Sequence, residues 1–357
     1  MIYLDYQATT LLAPEAFAAM EPWLKTHFGN PHSSHVMGRA AAATVEAARA
    51  QVAALMPENG SVIFTSGATE ALNLAIKGTM AAGRTMVATE HAAVLDTVNA
   101  TSSSHPIYTA SVTPDGLVDE TSFETGVGLG IMMLVNNEIG VIQPVAQYAQ
   151  KMHDAGGLML CDAVQAFGRM PIPEGPDMIA VSAHKIHGPK GIGALWIREG
   201  VDLEPVMHGG RQEQGIRSGT LSPALCAGFG AAAKVAADRM AEDHAHVEAL
   251  WNRAIQLFSR WTTNGSSAQR YKGNLNIRLD GLDVARLMSD VRDVMFSAGS
   301  ACASGSGRPS HVLAGLGLTD AQAKSSIRLG FGRYTTIDEI EQAASRINLA
   351  VAAQLSE

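Results

Sequence analysis

This sequence has few cysteines, no excess of positive charge and no long hydrophobic runs. Three cysteines among 357 residues cannot form a disulfide framework, and their spacing matches no zinc-binding signature. No apolar run approaches the roughly 18 residues of a membrane-spanning helix, and the chain begins with MIYLDYQATT, which does not resemble a secretory signal. The formal net charge of −8 argues against a nucleic-acid-binding surface. We therefore expect a soluble, cytoplasmic protein with no membrane partner and no direct nucleic-acid partner.

The length and the local patterns predict two unequal domains. Before about Ala245, short strand-like runs alternate with helical patterns, which indicates an α/β fold with a mostly parallel central sheet. The clearest runs are the strands Ser61–Thr65, Thr85–Ala88 and Ile131–Val135 and the helices Ala68–Ile76 and Val145–Asp154. Farther along, Asn274–Leu279 alternates like a half-exposed strand, and Thr336 and Glu339 form a capping box before a terminal helix. The later region therefore predicts a smaller α+β domain.

Lys185 and Asp162 are the most informative pair of residues. Lys185 follows a predicted buried strand, Asp177–Ala183, and precedes a loop rich in glycine and proline. Partial desolvation there lowers the pKa of the amine and leaves it nucleophilic. Asp162 ends another apolar run that begins at Gly157. A strand-end lysine and a strand-end aspartate are the two anchors that pyridoxal phosphate (PLP) needs. The alternative is a surface lysine after an ordinary strand.

Two further features suit a phosphorylated, planar cofactor. The segment from Ser66 to Glu70 lies where a strand passes into a helix, so free backbone N–H groups and the hydroxyl of Thr69 can bind an anion. His91 ends another strand-like run and is either a hydrogen-bonded core residue or a group that stacks on a cofactor ring and moves protons. In contrast, His244 and His246 resemble a solvated helix face rather than a metal pair.

The three cysteines differ in their surroundings. Cys161 lies inside an apolar run and Cys226 lies in an alanine-rich helical pattern, so both are expected to be core thiols. Cys302 lies among small residues in the segment Ser297–Pro309 (SAGSACASGSGRP), which predicts an accessible, flexible loop. A thiol in such a loop is a candidate nucleophile. The alternative is a cysteine that happens to lie in a linker.

The chain resembles the cysteine desulfurases of the class V aminotransferase family, and in particular their nitrogenase and iron–sulfur-cluster (group I) branch. The motifs that carry this resemblance span nearly the whole chain, in the order YLDYQATT, FGNPHSSH, TSGATE, TEHAAVLDT, VNNEIG, CDAVQ, SAHKIHGPKGIG, GIRSGT, GSAC and SSIRLGFGR. The resemblance implies a PLP-dependent transferase of fold type I, acting as a homodimer. Such an enzyme would convert L-cysteine to L-alanine and leave a persulfide on Cys302.

The resemblance also implies roles for individual residues around the cofactor ring. Lys185 would bind PLP covalently, and Asp162 would keep the pyridine nitrogen protonated. His91 would stack on the ring and share in catalysis. Gln165 and Asn137 would donate hydrogen bonds to the ring oxygen and to the nearby substrate.

The remaining roles concern the phosphate, the substrate and the sulfur. The phosphate would be bound by Ala68, Thr69, Ser182 and His184, joined by Thr220 of the partner subunit. Arg328 would bind the substrate carboxylate in a bidentate fork. Cys302 would attack the substrate sulfur and pass it to an acceptor protein, and a transient iron–sulfur ligand is a further role for it. No other metal site is expected.

The resemblance further implies a division of the chain. A large PLP-binding domain would comprise residues 14–244, and a small domain would comprise residues 1–13 and 245–357. The small domain would carry the mobile cysteine loop at about residues 297–309. The sequence departs from the family pattern at Leu11, where proline is usual, and at Gly307-Arg308, where a Leu-Glu pair is common.

Other functions stay open at this level. A selenocysteine lyase or another class V enzyme would share Lys185 and Asp162, although an accessible Cys302 disfavours an aminotransferase. A fold that binds partners without turnover is a second class of function, which the complete set of catalytic residues disfavours. The sulfur acceptor would serve iron–sulfur cluster assembly or, alternatively, tRNA thiolation.

Overall fold

The computed structural model describes residues 1–101, 105–299 and 310–356, and these ranges contain thirteen strands and ten helices. The strands are β1 (Ile2–Tyr3), β2 (Gly60–Thr65), β3 (Gly83–Val87), β4 (Ile107–Ala110), β5 (Gly128–Met133), β6 (Leu158–Asp162), β7 (Met178–Ser182), β8 (Gly193–Arg198), β9 (Thr262–Thr263), β10 (Asn274–Arg278), β11 (Val294–Met295), β12 (Ser297–Ala298) and β13 (Ser326–Gly330). The helices are α1 (Pro14–Lys25), α2 (Val36–Ala53), α3 (Ala68–Gly78), α4 (Ala92–Ala100), α5 (Val145–Asp154), α6 (Pro223–Leu257), α7 (Val284–Asp290), α8 (His311–Gly315), α9 (Asp320–Lys324) and α10 (Ile337–Leu355).

The largest sheet of the described chain has seven strands in the order β2-β8-β7-β6-β5-β3-β4. All neighbouring pairs are parallel except those of β8, which runs antiparallel to both β2 and β7. The α/β class and the mostly parallel sheet are therefore confirmed. Because β6 and β7 are parallel neighbours, Asp162 and Ser182, their last residues, lie at the same edge of the sheet. Lys185 follows on the turn after β7.

Helices cover both faces of this sheet. Successive residues of a strand point to opposite faces, as Ile63 and Phe64 of β2 show. Phe64 packs against Phe229 of α6, with ring centroids 6.2 Å apart, while Ile63 belongs to the apolar cluster that contains Leu72 of α3. Among the described helices, none combines the length and the hydropathy that crossing a membrane requires.

A second sheet in the described chain has the order β12-β13-β10-β9 and is antiparallel. The predicted strand at residues 274–279 is its β10, but the expectation of half exposure is wrong because Asn274 to Ile277 are all buried. Leu275 and Ile277 face the apolar cluster of this sheet. On the other face, Asn274 and Asn276 donate to the carbonyls of Asn137 and Glu138, at 3.1 and 3.0 Å. The NH₂ groups of these buried amides are therefore bound by a loop that is distant in sequence.

Helix α6 joins the two sheets. Cys226 and Phe229 in its first half pack in the cluster of the large sheet, and Leu250 and Trp251 in its second half pack in the cluster of the small one. The predicted boundary after residue 244 falls inside this helix. The division into residues 14–244, and 1–13 with 245–357, stays a prediction.

The predicted cysteine loop begins too early. Residues 297–299 belong to the small sheet, because Ser297 and Ala298 pair with Arg328 and Ile327 and the N–H of Gly299 donates to the carbonyl of Ser326. Residues 300–309 lie outside the described residues. The rest of the predicted loop therefore stays a prediction.

The N-terminal segment is tied to the segment that follows Lys185. The backbone N–H of His187 donates to the hydroxyl of Thr10 at 2.8 Å, and its Nδ1 lies 2.9 Å from the carbonyl of Leu11. The imidazole is buried and meets the ring of Tyr334 edge-on, with centroids 4.9 Å apart. Burial lowers the pKa of His187 to about 3. His187 is therefore neutral in the folded protein, and it joins residues 10–11 to the segment that follows Lys185.

We expect His187 to make the protein sensitive to acid. Its pKa is about 3 when folded, against an ordinary value of 6.5. As the pH falls below 6.5, His187 becomes protonated in the unfolded chain but stays neutral in the folded chain. The free energy of unfolding should therefore fall by about 1.4 kcal/mol per pH unit within this window. Denaturant titrations between about pH 7 and 5 should show a shallower pH dependence for His187→Asn. Equal slopes in both proteins would contradict this account.

Candidate active site

A cavity of about 710 Å³ opens at the sheet edge where β6 and β7 end. Its wall contains every predicted cofactor-binding and substrate-binding residue of the described chain except Thr220. These residues are Ala68, Thr69, His91, Asn137, Asp162, Gln165, Ser182, His184, Lys185 and Arg328. The volume lies in the range typical of small-molecule sites. The sequence motifs, spread over 260 positions, thus converge on one space.

Lys185 ends a short 3₁₀ turn, Ala183–Lys185, directly after β7. Its Nζ donates to the carbonyls of Gln7 and Ala8, at 2.5 and 2.8 Å. The side chain is partly buried and lines the cavity. Lys185 is therefore a strand-end lysine held at the cavity wall, as predicted, and is not a surface lysine in open solvent.

Asp162 and His91 form the charged and aromatic part of the wall. Asp162 is buried, and its Oδ1 accepts from the N–H of Val164 at 3.0 Å. Burial raises the pKa of Asp162, and the neighbouring His91 and Lys185 oppose that rise. A carboxyl in this setting gains from a cationic partner placed in the cavity.

His91 is the N-cap of α4, where its Nδ1 accepts from the N–H of Ala93 at 3.1 Å. Burial lowers the pKa of His91, so the ring is neutral. Because Nδ1 accepts, the proton of the neutral ring must lie on Nε2. His91 therefore has one N–H donor and a flat apolar face available for a ligand.

The N-terminus of α3 forms the anion-binding end of the cavity. Its N-cap is Gly67, which has no side chain to satisfy the first N–H groups of this 11-residue helix. Residues 66–69 all line the cavity, together with Ser182 and His184. The Nδ1 of His184 lies 3.1 Å from the hydroxyl of Thr9, and burial together with Lys185 lowers the pKa of His184 to about 4. Unsatisfied N–H groups, a helix dipole and a neutral imidazole are suited to a phosphate.

Arg328 also lines the cavity. Its guanidinium is buried and donates from Nη1 to the carbonyl of Asn137 at 3.1 Å and from Nη2 to Asp5 at 2.8 Å. Nη2 also lies 3.2 Å from the hydroxyl of Ser297, which itself donates to Asp5. Within the described chain, the buried Nε of Arg328 has no hydrogen-bond partner. A fixed guanidinium with an unused N–H is suited to a carboxylate.

Sequence reasoning missed several residues of this wall. Asp5, Gln7, Thr9 and Ser297 line the cavity and bind the predicted side chains directly. The only sequence signal for Asp5, Gln7 and Thr9 is their place in the motif YLDYQATT, and the only one for Ser297 is its proximity to Cys302. No local pattern shows that residue 7 lies beside residue 185.

Two predicted residues are not in the cavity of the described chain. Thr220 is exposed and lies outside the wall, and Cys302 lies outside the described residues. The other two thiols are buried as predicted, and burial raises the pKa of Cys226 to about 12 and that of Cys161 well above its usual value. Neither thiol is suited to act as a nucleophile.

The prediction that His244 and His246 of α6 both face solvent is only partly right. His244 is exposed as expected, but the Nε2 of His246 lies 2.8 Å from the carbonyl of Thr335. His246 therefore joins α6 to the segment before α10 instead of facing solvent alone. Over the described ranges, His, Cys, Asp and Glu side chains form no group suited to a metal ion.

Comparisons with known proteins agree with this geometry. The model of the class-V aminotransferase family matches residues 2–343, so the chain belongs to that family. It is 40% identical, over 97% of its length and 90% of the relative, to the cysteine desulfurase IscS of Rickettsia africae (strain ESF-5). Within the class-V family, the chain therefore belongs to the cysteine desulfurases.

Solved structures of similar proteins share the fold. A NifS-like protein superposes with a TM-score of 0.89 at 28% identity, over 98% of this chain and 99% of that one. A structure of SspA in complex with cysteine superposes with a TM-score of 0.82 at 29% identity, over 94% and 100%. PLP is the cofactor of this family, and its fold type I is the fold of the present chain.

The residues present fit PLP. Lys185, the buried Asp162 and the start of α3, which has no side-chain cap, line one cavity. An aldehyde, a pyridine nitrogen and a phosphate need these three partners. The cavity also leaves space for an amino acid beside Arg328.

Proposed function

We propose that this protein is a cysteine desulfurase that converts L-cysteine to L-alanine and transfers the sulfur to Cys302. The observation that carries the proposal is the convergence of Lys185, Asp162 and Arg328 on one cavity beside the open N-terminus of α3. A lysine and an acid hold PLP, and an arginine selects a substrate with a carboxylate. PLP supplies an electron sink for the bonds of the substrate when it is bound.

The side chains around the ring have distinct tasks. Asp162 would stabilise a proton on the pyridine nitrogen of PLP, because its buried carboxyl gains from a cationic neighbour. His91 would contribute its ring face and its Nε2–H to the cofactor, while its Nδ1 stays bound to the N–H of Ala93. The amine of Lys185 would hold the cofactor and would move protons at the substrate carbon. The carbonyls of Gln7 and Ala8 keep this amine at the cavity wall.

Arg328 and Asp5 orient the substrate. The carboxylate of an amino acid would accept from Arg328, whose Nε is buried without a partner in the described chain. Asp5 and Ser297 keep the guanidinium from rotating, so that little freedom is lost on binding.

The sulfur transfer to Cys302 requires no external oxidant. The thiolate of Cys302 forms a bond to the sulfur of the substrate while the carbon–sulfur bond of the substrate breaks. The electron pair of the broken bond stays with the substrate carbon, which takes up a proton and becomes the methyl group of alanine. Cys302 retains the sulfur as a persulfide, which a thiol acceptor can receive.

Product analysis tests this function. Incubation of the PLP-loaded protein with L-cysteine and a thiol reductant should release alanine and sulfide in equal amounts. An aminotransferase would instead consume a keto acid and form a new amino acid. Loss of cysteine without alanine, or dependence on a keto acid, would overturn the proposal. Faster turnover of L-selenocysteine than of L-cysteine would identify the protein as a selenocysteine lyase instead.

We also propose an acceptor protein that uses the sulfur for iron–sulfur cluster assembly. The support is the resemblance to the nitrogenase and iron–sulfur branch over motifs from YLDYQATT to SSIRLGFGR. A ligand role of Cys302 in a transient cluster stays a prediction, as does the cytoplasmic location.

A homodimer with shared sites is the third part of the proposal. Thr220 is exposed and lies outside the cavity of its own chain, whereas the start of α3 in that cavity is open. A second copy that places Thr220 on this open end would complete the phosphate site.

Mixed dimers test the shared site. Lys185→Ala should inactivate by loss of the cofactor anchor, and Thr220→Glu should inactivate by placing a negative charge against the phosphate. A purified heterodimer of these two subunits has one site with both intact residues. It should regain roughly half of the wild-type activity, since one site in two is intact. If the Thr220→Glu homodimer is inactive and verified heterodimers are inactive too, Thr220 acts within its own subunit and the shared site is wrong.

A further inference from the structure

Arg169 lies behind the cofactor site and binds two of its residues. Its Nη1 donates to Oε1 of Gln165 at 2.7 Å, and its Nη2 donates to the backbone carbonyl of Lys185, also at 2.7 Å. The guanidinium carbon lies 5.4 Å from the ring centre of Tyr271, which packs against it. Arg169 thus joins the predicted ring-oxygen ligand to the cofactor lysine.

The hydrogen bonds of Arg169 decide which way the amide of Gln165 points. A guanidinium has five N–H donors and no acceptor, so the group that faces it must be an oxygen. The other end of the amide, Nε2, then faces the N-terminal segment, where it donates to the carbonyl of Gln7 at 3.0 Å. An NH₂ group has two hydrogens, and Gln165 lines the cavity. The second hydrogen is therefore available to an acceptor there.

We propose that Arg169 is a positioning residue that fixes Gln165 with its NH₂ group toward the cofactor ring and fixes the backbone of Lys185. This inference rests on the proposed function, because it assigns the polarity of that same site. With the amide reversed, Gln165 would present an oxygen to the phenolic oxygen of PLP, and two acceptors would face each other. Arg169 excludes that arrangement without touching either the cofactor or the substrate.

The positive charge of Arg169 and the hydrogen bond from Gln165 to the ring oxygen would shift the protonation of the cofactor site in the same direction. Its positive field contributes to the lowered pKa of His184, on the wall of the same cavity. A cation behind Lys185 and a donor to the ring oxygen both disfavour a proton on the nitrogen that joins lysine to PLP. Among the described residues, Asp162, His91 and His184 feel the charge of Lys185, and Lys190 lies on the same cavity wall. These four stay unchanged in the variants below.

The test is a pH titration of the visible absorbance of the PLP-loaded protein, with no substrate present. Arg169→Met should raise the midpoint by about one pH unit and should speed the loss of PLP on dialysis. Arg169→Lys, which keeps a charge and a donor, should restore most of the midpoint. Arg198→Met is the matched control, since Arg198 also donates to backbone carbonyls, but those of Gly175 and Pro176, neither of which lines the cavity. It should leave the midpoint unchanged.

A second variant shows whether Arg169 acts through Gln165. In a Gln165→Leu background, Arg169→Met should shift the midpoint by less than half as much as it does alone. If Arg169→Met does not fold, Gln165→Leu by itself should still raise the midpoint. An unchanged midpoint in these variants, or equal shifts in both backgrounds, would overturn the inference about Arg169 and would leave the proposed desulfurase function standing. A wild-type protein that acquires no PLP absorbance would overturn the proposed function and this inference with it.

Discussion

Replacing Cys302 with alanine should separate cofactor chemistry from sulfur transfer. The variant should bind PLP, keep its yellow colour and change its absorbance on addition of L-cysteine, because none of these steps needs the thiol. Release of alanine and sulfide should fall on the order of 10³-fold or more, as is usual when a nucleophile is removed. The measurement is product release in single-turnover and steady-state assays.

The two core cysteines are the matched controls for this change. Cys226 is fully buried in α6, and its thiol has a pKa of about 12 because of burial. Cys226→Ala and Cys161→Ala should each lower the free energy of unfolding by about 1 kcal/mol and should leave turnover close to that of the wild type. Normal turnover by Cys302→Ala would show that the nucleophile is misassigned.

Replacing Lys185 with alanine should abolish both covalent cofactor binding and turnover. The structure places this amine at the end of β7, on the cavity wall, where the carbonyls of Gln7 and Ala8 hold it. Asp162 and His91 lie close enough to Lys185 for their titrations to respond to its charge. Borohydride reduction of the wild type should fix PLP on the peptide that contains Lys185.

Lys190 is the control for this second prediction. It lies in the same segment and lines the rim of the cavity, but its side chain is exposed. Lys190→Ala should keep the yellow colour, the reduced PLP-peptide and most of the turnover. Covalent PLP in Lys185→Ala, or its loss in Lys190→Ala instead, would reverse the assignment.

The strand-end residues of the site were predictable from sequence because their signals are local. An apolar run ending at Asp162, another before Lys185 and a Ser-Gly-Ala-Thr turn before α3 each specify one element and its terminus. Helix α5 has the predicted bounds, Val145–Asp154, because Gly156 ends its pattern directly.

The contacts that complete the site were not predictable, because they join distant parts of the chain. Asp5 binds Arg328, 323 residues away, and Gln7 binds Lys185, 178 residues away. The alternating pattern of Asn274 and Asn276 suggested exposure, yet both amides bind carbonyls of residues 137 and 138. A polar residue at a strand position tells nothing of whether water or a distant carbonyl will satisfy it.

The central claim is that sulfur leaves cysteine by attack of Cys302, and mass spectrometry of the protein after brief exposure to L-cysteine tests it most directly. The wild type should gain one sulfur atom on the peptide that contains Cys302, in step with the release of alanine, and should lose it on reduction. Lys185→Ala should gain none. An added sulfur on the peptides of Cys161 or Cys226, or alanine release without any sulfur on Cys302, would contradict the account.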